Sequence, residues 1–118
     1  MRIDRADVRQ TDDELTLILG EGGRHVMLIR LRYDGWVDEV VNGAGVVTYG
    51  PAAWTLVGRE ISLEFDAWAA AALGFPRDCR LHLVDMDDDK IRQVRAALLE
   101  ILQCACFVVD TPDGRITS

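Results

Sequence analysis

The sequence is poor in the residues on which small secreted or metal-dependent folds rely. Its 118 residues include only three cysteines, three prolines and two histidines. An odd cysteine count is not a secreted disulfide framework, and free thiols suit the reducing cytosol. A chain of this length buries enough surface to fold without disulfides or metal. We therefore expect a single cytoplasmic domain over residues 1–118.

Long hydrophobic runs are also missing. No apolar run approaches the length of a membrane-spanning helix. The segment from Met1 to Asp7 is charged throughout and has no apolar centre, which is not typical of a signal peptide. The sequence predicts a protein that neither enters a membrane nor is exported.

Positive charge is outnumbered, because the net charge is −7 and the isoelectric point is about 4.7. Such a surface repels phosphate backbones and anionic lipid headgroups, so we expect neither a nucleic-acid nor a membrane partner. A basic protein would be attracted and its association accelerated. The acidity is equally explained by solubility alone.

Recognisable catalytic patterns are absent. Gly20, Gly22 and Gly23 lack the spacing of a phosphate-binding loop and the lysine that follows it. His25 and His82 both fall within predicted strands, where we expect them on a polar sheet face. No serine lies in a nucleophile elbow. The sequence therefore predicts neither an enzyme nor a bound cofactor.

The cysteines do not predict a metal site. Cys104 and Cys106 are separated by one residue, fewer than the usual two to four between paired zinc ligands. Together with Cys79, they are interpreted as buried thiols in apolar packing.

The acidic run from Asp85 to Asp89 lacks the glycine and the distal glutamate of a calcium loop. We expect Asp87 or Asp88 to cap a helix and the other carboxylates to complement the helix dipole. The run remains a candidate patch for steering a basic partner.

The first half of the sequence predicts strands. Leu15, Leu17 and Leu19 recur with a period of two, and a second strand spans Val26–Tyr33 after a glycine turn. An earlier strand is expected over Ile3–Arg9. Residues 34–53 are rich in glycine and predict a long loop with short strands, where binding residues often lie.

The second half predicts strands at residues 55–57, 60–65 and 80–84 and two helices. Asp66 caps a short helix over 67–73, and Gly74 ends it. Trp68, Ala72 and Leu73 are expected to face the sheet. A longer helix is predicted over 90–103, with an apolar stripe formed by Ile91, Val94, Leu98, Ile101 and Leu102.

These elements predict an α+β fold. We expect an antiparallel sheet of about six to seven strands, with the short and the long helix packed on one face. Residues 104–118 are predicted as an edge strand and a frayed tail. An exposed final strand would permit a homodimer, which nothing in the sequence requires.

The C-terminal half combines Tyr49-Gly50, the strands from Trp54 to Phe65, the short helix with Gly74-Phe75-Pro76, and the acidic turn before the closing helix. In this order of elements it resembles the immunity protein 10 family of bacterial polymorphic toxin systems. The resemblance covers roughly residues 49–102. Pro51 departs from the family pattern, as do residues 42–45 and the tail after Gln103.

The resemblance implies a cytoplasmic protein that binds a cognate toxin domain and blocks it sterically. From loop placement and charge, we predict Trp36 and Tyr49 as aromatic anchors within a charged rim. The charged contacts predicted for that rim are Asp34, Asp38, Glu39, Asp87, Asp88 and Asp89. The alternative function is a small non-catalytic ligand-binding or regulatory domain with an apolar pocket between sheet and helix.

Overall fold

The computed structural model describes residues 1–118 and is an α+β fold of two sheets and two helices. The helices are α1 (Ala67–Leu73) and α2 (Asp88–Ile101). The strands are β1 (Arg2–Ile3), β2 (Arg5–Gln10), β3 (Glu14–Glu21), β4 (Arg24–Arg32), β5 (Val37–Asn42), β6 (Val47–Tyr49), β7 (Ala53–Val57), β8 (Glu60–Glu64), β9 (Asp78–Leu83), β10 (Cys106–Thr111) and β11 (Gly114–Thr117).

The N-terminal sheet has the order β2-β3-β4-β5-β6, and all its neighbouring strands are antiparallel. Leu15, Leu17 and Leu19 of the interior strand β3 point to the core, as the period of two predicts. A β-bulge interrupts the β3–β4 register beside Gly20. The meander follows from short polar turns between consecutive hydrophobic strands.

The second sheet, called here the mixed sheet, has the order β1-β9-β8-β7-β10-β11. Its β1–β9 and β7–β10 pairs are parallel, and the remaining pairs are antiparallel. α2 connects β9 to β10, which are separated in the mixed sheet by β8 and β7. The chain therefore crosses two strands before β10 pairs with β7.

Both sheets and both helices contribute to one hydrophobic cluster of 27 buried residues. The predicted apolar stripe is confirmed, since all five of its members are buried: four lie on α2, and Leu102 directly follows it. Trp54 of β7 lies in this core, and its Nε1–H donates a hydrogen bond to the carbonyl oxygen of Leu102 at 3.2 Å.

The expected single antiparallel sheet of six to seven strands is wrong in number and arrangement. Eleven strands form two sheets, because a strongly twisted sheet rarely grows much beyond about ten strands without splitting. The helices do not share one sheet face either. α2 packs against β2, β3 and β4, whereas α1 lies beside β6.

The helix caps are confirmed. Asp66 accepts a hydrogen bond from the backbone N–H of Ala69, and Gly74 ends α1 in the left-handed conformation at φ +75°. Asp87 caps α2 by accepting from Lys90 N–H at 2.8 Å. The end of α2 was predicted two residues too late, since the helix stops at Ile101.

The C-terminal prediction needs correction. β10 is an interior strand between β7 and β11, and β11 is the edge strand, so residues 106–117 are paired rather than frayed. Cys104 and Cys106 are exposed, and only Cys79 is buried. The prediction that Cys104 and Cys106 are buried is therefore wrong. Cys104 lies in the turn after α2, and Cys106 points to the solvent face of β10. Neither helix is long and apolar enough to cross a membrane.

Candidate protein-binding surface

The outward faces of the two sheets differ in polarity. On the mixed sheet, Arg80 forms ion pairs with Asp78 at 3.1 Å and with Glu60 at 3.3 Å. The hydroxyl of Ser62 donates to Asp78 at 2.7 Å, and this bond, followed by Arg80, lowers the pKa of that carboxyl. The part of this face on β8 and β9 is therefore polar, and these four side chains already have partners.

The outward face of the N-terminal sheet carries an apolar band across four strands. Ile18, Leu28, Val41 and Val47 lie opposite one another in consecutive strand pairs. Ile18 and Val41 are buried, although they do not belong to the core cluster, and Val47 is 43% exposed. The apolar surface that a partner could cover is therefore at the Val47 end of this band, since exposed apolar patches mark interaction sites.

A polar row runs beside this band and consists of Thr16, Arg30, Glu39 and Tyr49. Arg30 Nε lies 3.0 Å from Glu39 Oε1, and the two side chains are only 24% and 17% exposed. Glu39, a predicted contact residue, is therefore already paired within the chain. In the strand register, Glu39 of β5 lies opposite Tyr49 of β6.

Tyr49 and Trp68 form an exposed aromatic pair at the β6 edge. Their ring centroids are 5.7 Å apart with an interplanar angle of 15°, and the residues are 50% and 62% exposed. The expectation that Trp68 faces the sheet is wrong. α1 buries Ala69, Ala70 and Leu73 instead, which turns Trp68 outward.

The Tyr49 hydroxyl also donates a hydrogen bond to Asp66, the N-cap of α1. The backbone N–H of Ala69, followed by this hydroxyl, holds the pKa of Asp66 below its ordinary value. The same bond raises the pKa of Tyr49. The contacts of β6 with α1 therefore hold the rings of Tyr49 and Trp68 in position. We call the apolar band, the Arg30–Glu39 pair, Tyr49 and Trp68 together the Tyr49 surface.

A shallow depression of about 230 Å³ borders this surface and is lined by Asp38, Tyr49, residues 50–52, Cys104 and Ala105. Asp38, predicted as a partner contact, points to the opposite face of β5 from Glu39. Its carboxylate packs over Gly50. A Cβ on residue 50 would fall on the Asp38 carboxylate and lie 3.4 Å from Leu102 Cδ2. Only glycine fits at this position without movement of Asp38.

The other predicted anchor, Trp36, belongs to the turn between β4 and β5. It has a left-handed φ of +54° and stacks on Tyr33 with ring centroids 5.8 Å apart. Trp36 is exposed, as is Asp34 in the same turn. Both lie beyond the ends of the strands and outside the Tyr49 surface.

The acidic residues at the start of α2 form a separate group. Asp88 pairs with Arg59 at 3.0 Å and Asp89 with Arg92 at 2.6 Å, while Asp87 is occupied as the cap. Asp87 shares a depression with residues 4–7 around β2, the strand at the opposite edge from β6. Four strand spacings, roughly 19 Å, separate those edges. The predicted residues therefore do not form one site.

Sequence reasoning missed Val41, Val47, Arg30 and Trp68 as members of the surface. The alternation Val47-Thr48-Tyr49 is a strand signal that the surrounding glycines obscured. The sequence did not identify Trp68 as exposed, because α1 is almost uniformly apolar and has no polar residues to mark its solvent side.

Comparison with known proteins adds no relative: no family model, curated protein or solved structure matches this chain.

Proposed function

We propose that this chain is an immunity protein that binds a cognate bacterial toxin domain through the Tyr49 surface and blocks it sterically. The observation that carries the proposal is the exposed Tyr49–Trp68 pair beside the exposed Val47 end of the apolar band. Tryptophan and tyrosine are enriched among residues that dominate binding energy.

The surface has the layout of a binding site that forms without rearrangement. Tyr49 is fixed by Asp66 and by stacking, so little side-chain entropy is lost when it is covered. The Arg30–Glu39 pair is already formed and largely buried, and a partner would not need to neutralise either charge separately. A net charge of −7 favours a toxin domain with a basic face.

The choice of a toxin as partner rests on the resemblance to the immunity protein 10 family. The Tyr49-Gly50 step that contributes to this resemblance has a structural reason in this chain. Tyr49 presents the aromatic ring, and Gly50 leaves room for Asp38 and Leu102. Tyr49 therefore belongs to the exposed surface, and Gly50 lies against the core at Leu102.

Co-expression with a toxin domain encoded beside this chain tests the proposal. The chain should rescue growth, and Val47→Asp should abolish both rescue and binding because it places a charge in the apolar band. Val57→Asp is the matched control, since Val57 is also 43% exposed but belongs to the mixed sheet. Failure of rescue, or greater sensitivity to Val57→Asp, would contradict the proposal.

Binding of a small ligand is the second candidate function. A groove of about 350 Å³ between β2 and α2 is lined by Val8, Leu15, Ala96 and Ala97, with polar side chains at its rim. It is open to solvent, whereas small-molecule sites usually enclose most of the ligand. The Tyr49 surface therefore supports protein binding more strongly than this groove supports ligand binding.

A further inference from the structure

A depression lined by three arginines lies between α2 and the β10–β11 hairpin, although the chain as a whole is acidic. Arg92 and Arg95 of α2 and Arg115 of β11 line it together with residues 111–114 and Ile116. Its volume is about 540 Å³. Asp113 is the one carboxylate in the lining, against three guanidinium groups.

Two of the three arginines are held in place by carboxylates outside the lining. Arg92 pairs with Asp89 at 2.6 Å, and Arg115 makes two contacts with Asp110, at 2.7 and 3.3 Å. The Arg115 pair spans the hairpin and orients a guanidinium that lines the depression. These pairs orient the donors but leave other N–H groups of each guanidinium uncommitted.

Arg95 differs because no carboxylate or carbonyl pairs with it. The residue is half-buried, and its Nε is fully buried without a hydrogen-bond partner, the only side-chain nitrogen or oxygen in the protein in that situation. A buried donor without an acceptor is costly, and native proteins almost always satisfy such groups. Because Nε has no accessible surface, a ligand in the depression would meet the terminal Nη groups of Arg95, which have no ion-pair partner either.

We propose that this depression binds a phosphate-sized oxyanion, either free phosphate or the phosphoryl group of a small molecule. Guanidinium groups bind phosphate oxygens through paired N–H donors, and three of them line this depression. Pro112 and Ile116 provide an apolar wall for an organic group attached to the phosphate. The site uses no residue of the Tyr49 surface, so its test is independent of the proposed function.

Titration of the ¹⁵N-labelled protein at constant ionic strength tests the site, with inorganic phosphate and a nucleoside monophosphate as separate probes. We expect a saturable shift of the Arg95 Nε–Hε resonance, and a Tm increase of roughly 5 °C at tenfold the dissociation constant. Tighter binding of the nucleotide would identify a phosphorylated small molecule as the ligand, and equal binding would identify phosphate alone.

Arg95→Met keeps the length of the side chain but removes its donors. In phosphate-free buffer this variant should be at least as stable as the wild type, because the unpaired donor is gone. In phosphate it should lose the Tm increase and bind at least tenfold more weakly. Arg24→Met, which removes an exposed arginine outside the depression, should retain the full response.

A response of Arg95→Met equal to that of the wild type would overturn the proposal, as would the absence of saturable binding of both probes. If Arg95→Met does not fold, Arg95→Lys replaces it, since lysine keeps the charge without the forked donors. Unchanged binding by the lysine variant would likewise overturn the assignment of Arg95.

Discussion

The hydroxyl of Tyr49 donates to the carboxylate of Asp66, and this bond joins the last strand of the N-terminal sheet to the first turn of α1. Asp66 also accepts the backbone N–H of Ala69 at 2.8 Å, so one carboxylate both caps the helix and holds the exposed tyrosine. The orientation of the aromatic pair therefore depends on a helix cap.

Asp66→Asn should reduce stability at neutral pH and remove part of its acid dependence. Asparagine still caps the helix but cannot carry the charge that Ala69 N–H and the Tyr49 hydroxyl stabilise. The pKa of Asp66 is lowered on folding, so its stabilisation is complete above the ordinary carboxyl pKa. It is lost as the pH falls through the lower folded-state value. Urea unfolding of both proteins from pH 7 downwards should show their stabilities converging.

Tyr49→Phe provides the matched variant because it keeps the ring and its stacking on Trp68. It should destabilise less than Asp66→Ala, which removes both the cap and the tyrosine contact. The two changes should not be additive, since both delete the same hydrogen bond. Strict additivity would show that Tyr49 and Asp66 are not coupled in solution.

Gly50→Ala should destabilise the protein by about 1 kcal/mol or less, because the Asp38 carboxylate must rotate away to admit the methyl group. The added methyl group would collide with the Asp38 carboxylate. The double variant Asp38→Ala with Gly50→Ala should recover part of the loss in urea unfolding. Absence of any recovery would mean that Asp38 does not limit residue 50.

The parts of the fold that the sequence predicts are those with local signals. Asp66 was predicted as a cap, and Asp87 as one of two candidates with Asp88, because a carboxylate beside a helical run has a specific bonding role. The core positions of β3 and α2 follow from their hydrophobic periods. The division into two sheets was not predictable in this way, because β1 and β10 pair in parallel with strands distant in sequence.

The candidate surface was likewise predicted only where local sequence signals exist. Glu39 and Tyr49 were chosen separately from a glycine-rich segment, and the antiparallel register places them opposite each other. Trp36, chosen by the same reasoning, lies beyond the strand ends. Trp68 joins the surface only because α1 packs beside β6, which is a tertiary contact with no signature in the local sequence.

Trp54→Phe should cost about 2–4 kcal/mol in the free energy of unfolding. The substitution leaves the buried carbonyl of Leu102 without its indole donor and opens space beside Phe107. Trp36→Phe is the control, and because Trp36 is 51% exposed its effect should stay within about 0.5 kcal/mol. Denaturant titration of the two variants measures the difference, and equal effects would contradict the burial of Trp54.

Alkaline stability should depend on Cys79. Burial raises the pKa of its thiol from 9.0 to about 11, so the folded state retains a proton that the unfolded state loses. Stability from this residue is therefore full below pH 9 and declines until about pH 11, by at most about 2–3 kcal/mol. Cys79→Ala should flatten this part of the curve, and an unchanged slope would exclude the thiol as its cause.

The two exposed cysteines offer a direct test of which surface a protein partner covers. Cys104 lines the depression that borders Tyr49, whereas Cys106 lies on the outward face of the mixed sheet opposite Ala53. If the partner binds the Tyr49 surface, alkylation of Cys104 should slow at least tenfold in the complex, while Cys106 should react at its free rate. Cys104→Ser and Cys106→Ser variants, each labelled alone and in the complex, separate the two rates. Protection of Cys106 with Cys104 still reactive would place the interface on the mixed sheet and contradict the assignment of the Tyr49 surface, because thiol access reports coverage at each position independently.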